Sequence, residues 1–453
     1  MIREAADRPT YGLKPDVLSG WETLAQSLSS IAPTAAPAMI IPLVIAAAGR
    51  SAWVSFVIAT IAMALVAAHV NVFARDSATP GSLYAFVRGE LGLWGGLPAG
   101  WALLIAYIGT AAAVTGGIIQ YAQNLLGLTG ATVAILLIVG SIGLAAVLAY
   151  RNVELSTRFM LWIECASVAT ILLLFIIPST AHPLTWDATQ FAPAVFAITP
   201  VGAGLVLATF AFVGFESATA LGAEAKDPLR TIPRAVMGTA LISGAFFVFS
   251  TYAEVGAVGS KVDLLTGTQS PLQVLATLKG RSWVGPIVSV GAIMSFFACA
   301  MSCITAAART MFLMGAQRVL PASLGRVHAR HQTPHTAVLV SSIAAAAPAL
   351  ALAARHVSAF DLYGWLATIA TYGFLAAYVF VTIAAPLHAR RRGTLTPWKS
   401  ALAIVTVLFL GWAFVASLPP ASASGPERLL APAFFILILI GCAYCFMLTM
   451  EIN

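Results

Sequence analysis

The stretch SSIAPTAAPA, Ser29 to Ala38, lies in the first long apolar segment of the chain and places Pro33 and Pro37 four residues apart. A third proline, Pro42, follows. Proline has no amide hydrogen, so each proline removes one hydrogen bond from a helix. We therefore expect an interrupted helix in which the carbonyls of residues 29, 33 and 38 lack helical partners.

The overall composition is that of a membrane protein. The chain has 453 residues, of which 60% are hydrophobic and 9% are charged, and its mean hydropathy is +0.91. A soluble domain carries about 25% charged residues, and a membrane-spanning helix needs about 20 mostly apolar residues. The sequence predicts an all-α polytopic membrane protein with 12 transmembrane helices, near 23–48, 51–73, 95–126, 131–150, 157–178, 200–222, 236–257, 284–314, 336–354, 361–386, 400–418 and 430–450.

The distribution of basic residues sets the expected orientation. An even number of spans puts both termini on one side, and 18 of the 24 Lys and Arg residues fall on that side. Because cytoplasmic loops are enriched in Lys and Arg, we expect both termini to be cytoplasmic and the protein to lie in the cell membrane. These loops explain the net charge of +7, so no nucleic-acid partner is implied.

We expect no cofactor, no metal and no catalytic residues. All five cysteines lie in predicted spans, where small packing residues are expected rather than disulfides or metal ligands. No H-E-x-x-H motif is present, and six of the seven histidines fall in loops or near span ends, which argues against a membrane-embedded enzyme. Polar residues cluster at mid-depth around spans 1, 3, 6 and 8, which favours a discrete site over the continuous pore of a channel.

The sixth predicted span carries a second interruption. It reads LATFAFVGFESATALGAEAKDP and contains Gly214 followed closely by Glu216. Two interrupted helices five spans apart are typical of inverted-repeat transporters whose binding site lies at the membrane midplane. The predicted domains are a polar cytoplasmic tail at 1–16, a core at 17–386 made of two five-helix repeats (about 17–180 and 195–386), and a loop with two appended helices at 387–453.

A broken helix exposes backbone groups of opposite partial charge. Amide groups at one half-helix end suit a carboxylate, and carbonyls at the other end suit an ammonium group or a cation. In span 1 the available donors would be Thr34, Ala35 and Ala36. A simple proline kink without a ligand is the alternative interpretation of this segment, and the matching break in span 6 favours a site.

Three stretches resemble the amino acid–polyamine–organocation superfamily. FAFVGFESATALGAEAKDPLRTIPRAV at 210–236 resembles the sixth helix of that superfamily. AAARTMFLMGAQRVLPASLGRVHARHQTPHTAV at 306–338 resembles its eighth helix with the re-entrant stretch that follows, and TPGSLYAFV at 79–87 resembles its second-to-third helix segment. The resemblance covers essentially the whole chain.

The resemblance implies a LeuT-like 5+5 inverted repeat that binds an amino acid or amine between its first and sixth helices and moves it by alternating access. Phe210 matches the aromatic gate, and Glu216 matches the acidic residue of the family's G-F-E motif, with a role in gating or coupling. The implied substrate-binding residues are Ala32, Pro33, Thr34, Ala35, Ala36, Tyr107, Thr110, Ala113, Phe210, Ala211, Phe212 and Val213. Each has a structural alternative: Phe210 as core, and Tyr107 or Glu216 as hydrogen-bonding groups inside the bundle.

Two departures from the family pattern bear on substrate and coupling. Where the family usually has a Gly-Ser-Gly-like element, this chain has Ala35, Ala36 and Pro37, which makes an α-amino acid substrate less secure. Ser167 occupies the position at which some proton-coupled members have a lysine, so lysine-based proton coupling is not expected.

The coupling ion is expected to be a proton. Glu164 lies about ten residues into span 5, roughly 15 Å deep at 1.5 Å per residue, and is the best alternative proton carrier, although a purely structural hydrogen bond explains it equally well. Ser302 and Thr305 on span 8 offer a weaker sodium option with the span 1 carbonyls. Hydroxyls in membrane helices usually bond their own backbone instead.

Charged residues near the cytoplasmic side have two interpretations. Arg309 would pair with Glu224 or Asp227 as a cytoplasmic gate, or it would only follow the positive-inside rule. The run HARRRGT from His388 is expected to anchor the chain at the membrane surface, in contact with anionic lipid.

These observations together predict a secondary active transporter that moves amino acids or related amines by proton-coupled symport or exchange. The alternatives are a sodium-coupled symporter of the same fold and, less favoured, a channel or a membrane-embedded enzyme. The expected partners are the small-molecule substrate, a proton and membrane lipid.

Overall fold

A computed structural model describes residues 11–151, 153–176, 187–258, 265, 270–419 and 425–452 of the chain. The described residues are almost entirely helical, and β pairing among them is confined to two isolated bridges, Leu18 with Ala225 and Pro80 with Leu221. The α-helices are α1 Gly20–Ile31, α2 Ile41–Ala48, α3 Ala52–Ala74, α4 Ser82–Leu126, α5 Ala131–Arg151, α6 Val153–Ile176, α7 Ile198–Phe210, α8 Pro228–Val258, α9 Pro271–Leu278, α10 Val284–Ala316, α11 His335–Ala354, α12 Ala359–Arg391, α13 Pro397–Ala416 and α14 Leu430–Ile452.

Ten helical segments among the described residues are long and apolar enough to cross a membrane. One of them, Gly20–Ala74, is 55 residues long and contains α1, α2 and α3, whereas α7 is a shorter apolar helix. In α4, 83% of the most apolar 18-residue window is buried, against 22% in α5 and α13. The chain is therefore a polytopic membrane protein with α4 at its centre and α5 and α13 at its periphery.

The predicted and observed helix bounds agree best where no special backbone intervenes. The bounds of α3, α5, α10 and α11 lie within two residues of the predicted spans. The third span begins at Ser82 rather than near 95, because residues 82–91 are also helical and join the predicted span across a bend at Gly92 (φ 64°, ψ −155°). The short helix α9 was not predicted from the sequence.

The first predicted span is interrupted as expected. A capping box opens α1, with Ser19 accepting a hydrogen bond from the Glu22 amide and the Glu22 carboxylate accepting one from the Ser19 amide. The helix ends at Ala32, whose φ of 50° is left-handed, and Pro33 follows it. A π-helical turn at Ala36–Ile40 then leads into α2. Pro42 lies in the first turn of α2, where a missing amide hydrogen costs little.

The sixth predicted span is helical only in its first half. We expected a span over 200–222 with an interruption near Gly214, and α7 ends at Phe210, so the second half of this span is not α-helical. From Ala211 to Leu221 the backbone bonds run from residue i+3 to residue i, as in 3₁₀ turns. Gly214 has a φ of 94°, a conformation that L side chains rarely adopt, and this residue redirects the chain.

Two glycines allow α4 and α12 to approach closely. A Cβ at Gly373 would lie 2.5 Å from the Ala102 carbonyl oxygen, and a Cβ at Gly116 would lie 2.5 Å from the Ala359 carbonyl oxygen. Membrane helices pack through small residues because lipid supplies no hydrophobic drive for their association. The α4–α12 contact therefore depends on positions with no side chain.

We expect Gly373→Val to lower the free energy of unfolding by about 1–3 kcal/mol, because the added atoms force two packed backbones apart. Gly364→Val on the same helix is the matched control, since no atom lies within 4 Å of its Cβ position. Thermal unfolding of the purified variants measures both effects, and equal melting temperatures would contradict the close-approach argument.

Candidate functional site

The two interrupted segments lie against each other. The Ser217 hydroxyl donates to the Gln26 carbonyl at 3.1 Å, and the Ala218 amide donates to the Ser27 hydroxyl at 2.9 Å. A Cβ at Gly214 would lie 3.0 Å from the Cβ of Ser30. The break after α7 is thus packed on the last turns of α1, and both its conformation and its contacts require glycine at position 214.

Glu216 is fully buried and held by two tyrosines from different helices. The Tyr107 hydroxyl of α4 donates to one carboxylate oxygen at 2.7 Å, and the Tyr378 hydroxyl of α12 donates to the other at 2.5 Å. The Tyr378 oxygen also accepts a bond of 3.1 Å from the Gly214 amide. The Glu216 carboxylate therefore joins the break after α7 to both α4 and α12.

The predicted donors of the first break are only partly free in this conformation. The Ala35 amide, predicted as a ligand donor, already donates to the Ala32 carbonyl at 2.7 Å, because the left-handed Ala32 turns the chain back on itself. Among the contacts of the described residues, no partner appears for the amides of Thr34 and Ala36. The Thr34 hydroxyl is also buried without a partner.

Two of the three carbonyls expected to lack helical partners accept other donors. The Ser29 carbonyl accepts from the Ala32 amide at 3.1 Å, and the Ala38 carbonyl accepts from the Tyr121 hydroxyl of α4 at 3.0 Å. Neither bond is the helical one that a proline removes. A local turn supplies the first donor and a neighbouring helix supplies the second, as a bilayer requires of an interrupted backbone.

The remaining predicted substrate residues fall in different surroundings. Tyr107 is fully buried and bonded to Glu216, Ala113 is buried, and Thr110 on the same helix is half-buried. The predicted unwound backbone at 211–213 is non-helical in the structure, directly after the end of α7. Pro33 and Ala36 are buried at the break.

Phe210 is half-buried and lines a cavity of about 440 Å³ between α2, α7, α12 and the end of α13. The wall is largely apolar and includes Met39, Ile40 and Leu207, with Thr371 as a polar member. Tyr107, Thr110 and Ala113 do not line this cavity. Phe210 stands at the last turn of α7, between this cavity and the break that follows.

Glu164 links α6 to α10 beside the broken first helix. One of its carboxylate oxygens accepts from the Ser295 hydroxyl at 2.9 Å, and the other is buried without a standard hydrogen bond, with Ser29 of α1 nearby. The Ser167 hydroxyl donates to the Gly291 carbonyl of α10 at 2.9 Å. Glu164 and Ser167 thus face the same neighbouring helix.

The two residues of the sodium option differ in their contacts. The Ser302 hydroxyl lies 2.6 Å from both the Ser30 hydroxyl and the Gln26 carbonyl oxygen, so it packs α10 onto α1. The Thr305 hydroxyl is buried without a partner. No group of three or more His, Cys, Asp or Glu side chains suited to a metal occurs in the described part of the chain.

Arg309 is paired with Glu224, one of the two partners considered from the sequence. Its guanidinium binds both carboxylate oxygens, at 2.5 and 2.8 Å, and both side chains are at most 1% exposed. The amides of Val17 and Leu18 donate to the Glu224 carbonyl at 3.0 and 3.1 Å. The segment that precedes α1 is therefore hydrogen-bonded to the backbone of Glu224. The contacts Leu18–Ala225, Asn71–Pro233 and Asp76–Arg392 place Leu18, Ala225 and Arg392 at one end of the bundle, here called the basic face.

Glu254 of α8 is a buried acidic residue that the sequence analysis did not single out. It is fully buried, and neither carboxylate oxygen has a hydrogen-bond partner among the described residues. It lies within electrostatic range of Tyr121, whose hydroxyl binds the interrupted first helix. The signal was available, since Glu254 is an ionisable residue inside a predicted span, the same criterion that identified Glu164.

Comparison with known proteins places the chain among permeases. The profile of the family described as amino acid permease matches residues 23–449. The branched-chain amino acid permease BcaP of Bacillus subtilis is 25% identical over 395 residues, which cover 81% of this chain and 82% of that protein. A methylthioribose transporter of the same organism is 26% identical, covering 74% of this chain and 73% of that protein. The mouse cationic amino acid transporter 4 is 28% identical, covering 74% of this chain and 54% of that protein.

We expect Arg309→Ala to cost about 3–5 kcal/mol of folding stability, because it leaves the Glu224 charge buried and unpaired. Arg230→Ala is the matched control, since Arg230 and Asp227 form a pair 3.7 Å apart that is 68% and 58% exposed, and such pairs contribute about 0–1 kcal/mol. Thermal unfolding of the two variants measures the difference. A loss in Arg309→Ala no larger than in the control would mean that the buried pair does not stabilise this conformation.

Proposed function

We propose that this chain, which belongs to the amino acid permease family, is a secondary active transporter that carries amino acids across the cell membrane by alternating access. The observation that supports this most is the packing of the two breaks against each other, Gly214 on Ser30, with unpartnered polar groups at Thr34. The family is one of permeases rather than enzymes.

We propose twelve membrane crossings arranged as two inverted five-helix repeats followed by two helices. The segment Gly20–Ala74 would cross twice, since its 55 residues span about 80 Å as a helix. The apolar α7, with the turns that follow it, would supply one further crossing. The excess of Lys and Arg on the basic face supports a cytoplasmic location for that face and for both termini.

We propose an apolar amino acid as substrate, with a branched side chain as the leading class. The cavity beside Phe210 is lined mainly by apolar groups and contains no Asp or Glu in its wall, so it offers no counter-charge for a cationic side chain. The branched-chain permeases among the relatives agree with this choice. The unpartnered amides of Thr34 and Ala36 would bind the carboxylate. The carbonyls of Ala211 and Val213 would face the amino group, since the Phe212 carbonyl already accepts from the Phe215 amide at 3.3 Å.

We propose closing roles for Phe210 and for the ion pair of Arg309 and Glu224. Phe210 would cover the bound amino acid from the side of the cavity, because it ends α7 at the cavity wall. Arg309 and Glu224 would close the path from the basic face, because their pair is buried and the segment at Leu18 is hydrogen-bonded to the backbone of Glu224. Glu216 would hold the break after α7 in place through Tyr107 and Tyr378.

We propose a proton as the coupling ion and Glu164 as its carrier. Ionisable residues inside membrane bundles mark ion and proton pathways. Glu164 lies on α6 and faces α10 and the broken α1, and one of its carboxylate oxygens has no standard hydrogen bond. In the described conformation the Ser302 hydroxyl is already engaged with α1, which weakens the case for sodium.

Ligand-induced thermal stabilisation of the purified protein tests the substrate class, since a ligand that binds only the folded state raises its stability. We expect leucine, isoleucine or valine to raise the melting temperature and arginine, lysine and methylthioribose to leave it unchanged. Phe210→Ala should abolish the shift, and Phe435→Ala, at a position 48% exposed on α14, should retain it. Stabilisation by cationic amino acids alone would overturn the proposed substrate.

Uptake into proteoliposomes at acidic and neutral pH tests the coupling. Glu164→Gln should remove the pH dependence of uptake while exchange of substrate across the membrane continues, because the variant keeps the hydrogen bond to Ser295 but cannot change charge. Glu254→Gln is the matched control at a second buried carboxyl and should keep the pH dependence. Loss of the pH dependence in Glu254→Gln, with its retention in Glu164→Gln, would assign coupling to Glu254. Uptake that requires sodium in both variants would identify sodium, rather than the proton, as the coupling ion.

A further inference from the structure

A second cavity, of about 610 Å³, lies on the basic face, away from the two breaks. It is enclosed by the ends of α3 and α12, the start of α13 and part of α8. Its wall includes Asn71, Arg75, Asp76, Arg392 and Lys399. None of these residues takes part in the proposed transport site.

The charges around this cavity are unbalanced in favour of an anion. Arg75 and Lys399 pair with no acidic side chain of the described residues, and the Lys399 ammonium donates only to the Thr394 carbonyl, at 2.6 Å. The one carboxylate of the wall, Asp76, already contacts His388 at 3.0 Å and Arg392 at 3.5 Å. The wall therefore holds three cationic groups, those of Arg75, Arg392 and Lys399, and one carboxylate, that of Asp76, which already has two partners.

A buried polar atom in the same wall also lacks a partner. Asn71 is 6% exposed, and its Nδ2 donates to the Pro233 carbonyl at 3.0 Å, which fixes the orientation of the amide. Its Oδ1 is left buried without a donor. The Asn71 side chain thus joins α3 to α8 at the wall of the cavity.

An apolar groove of about 350 Å³ borders this cavity. It runs between α12 and α13 and is lined by Ile383, Pro386, Ala403, Ile404, Val407 and Leu408. Pro386 belongs to the walls of both the cavity and the groove. A cavity with basic residues beside an apolar groove on a membrane helix pair matches the charged headgroup and the acyl chain of an anionic phospholipid.

We propose that the cavity and the groove together bind one anionic phospholipid. The phosphate lies between Arg75, Arg392 and Lys399, and an acyl chain fills the groove. Basic pockets between membrane helices bind anionic headgroups in this way. The groove decides for a lipid over free phosphate, which would leave the apolar surface uncovered.

Native mass spectrometry of the full-length protein, titrated with phosphatidylglycerol and with phosphatidylcholine, tests the proposal. The wild type should retain phosphatidylglycerol preferentially. The double variant R75Q/K399Q should bind phosphatidylglycerol about 30-fold more weakly. Each basic residue near the headgroup contributes about 1 kcal/mol, or about fivefold in affinity, and the two factors multiply. R390Q is the matched control, because Arg390 is exposed at the end of α12, close in sequence to Arg392, but does not line the cavity.

A second pair of variants separates a lipid from free phosphate. Val407→Trp should reduce phosphatidylglycerol retention by filling the groove, and Val405→Trp, at a position 56% exposed outside the groove, should not. Unchanged retention in R75Q/K399Q would overturn the site. Thermal stabilisation by inorganic phosphate, with no effect of Val407→Trp on lipid retention, would overturn the lipid as its occupant. Both measurements report binding and do not depend on transport.

Discussion

The structure depends on the requirement that backbone polar groups find partners away from water. A continuous helix meets this requirement through its own backbone hydrogen bonds, but the free backbone groups of an interrupted helix must bond to neighbouring helices. Tyr121 of α4 supplies a donor to the Ala38 carbonyl, and Tyr378 of α12 accepts from the Gly214 amide. Each break is therefore tied to a specific helix, and the breaks organise the packing around them.

The sequence predicted the positions of the breaks because their causes are local. Pro33 removes a donor, and Gly214 permits a positive φ, whatever surrounds them. The bonding inside the breaks was harder to predict. The Ala35 amide already donates to the Ala32 carbonyl because Ala32 has a left-handed backbone conformation. An alanine in the sequence does not indicate that conformation.

The buried ionisable residues were easier to find than to interpret. Glu216 was identified from its motif, but its partners, Tyr107 and Tyr378, lie 109 and 162 residues away along the chain. The partner of Arg309 was predictable as one of two acids, because both follow the same span. Glu254 was overlooked since no motif marks it, and an ionisable residue within a span should be considered even without one.

The glycine contacts between α4 and α12 have a consequence for motion. Carbonyl oxygens occupy the places of missing side chains at Gly116 and Gly373, so the two backbones approach more closely than larger residues at these positions would permit. Glu216 accepts one hydrogen bond from Tyr107 on α4 and another from Tyr378 on α12. A movement that separated α4 from α12 would therefore break the contacts at both glycines and at least one hydrogen bond of Glu216.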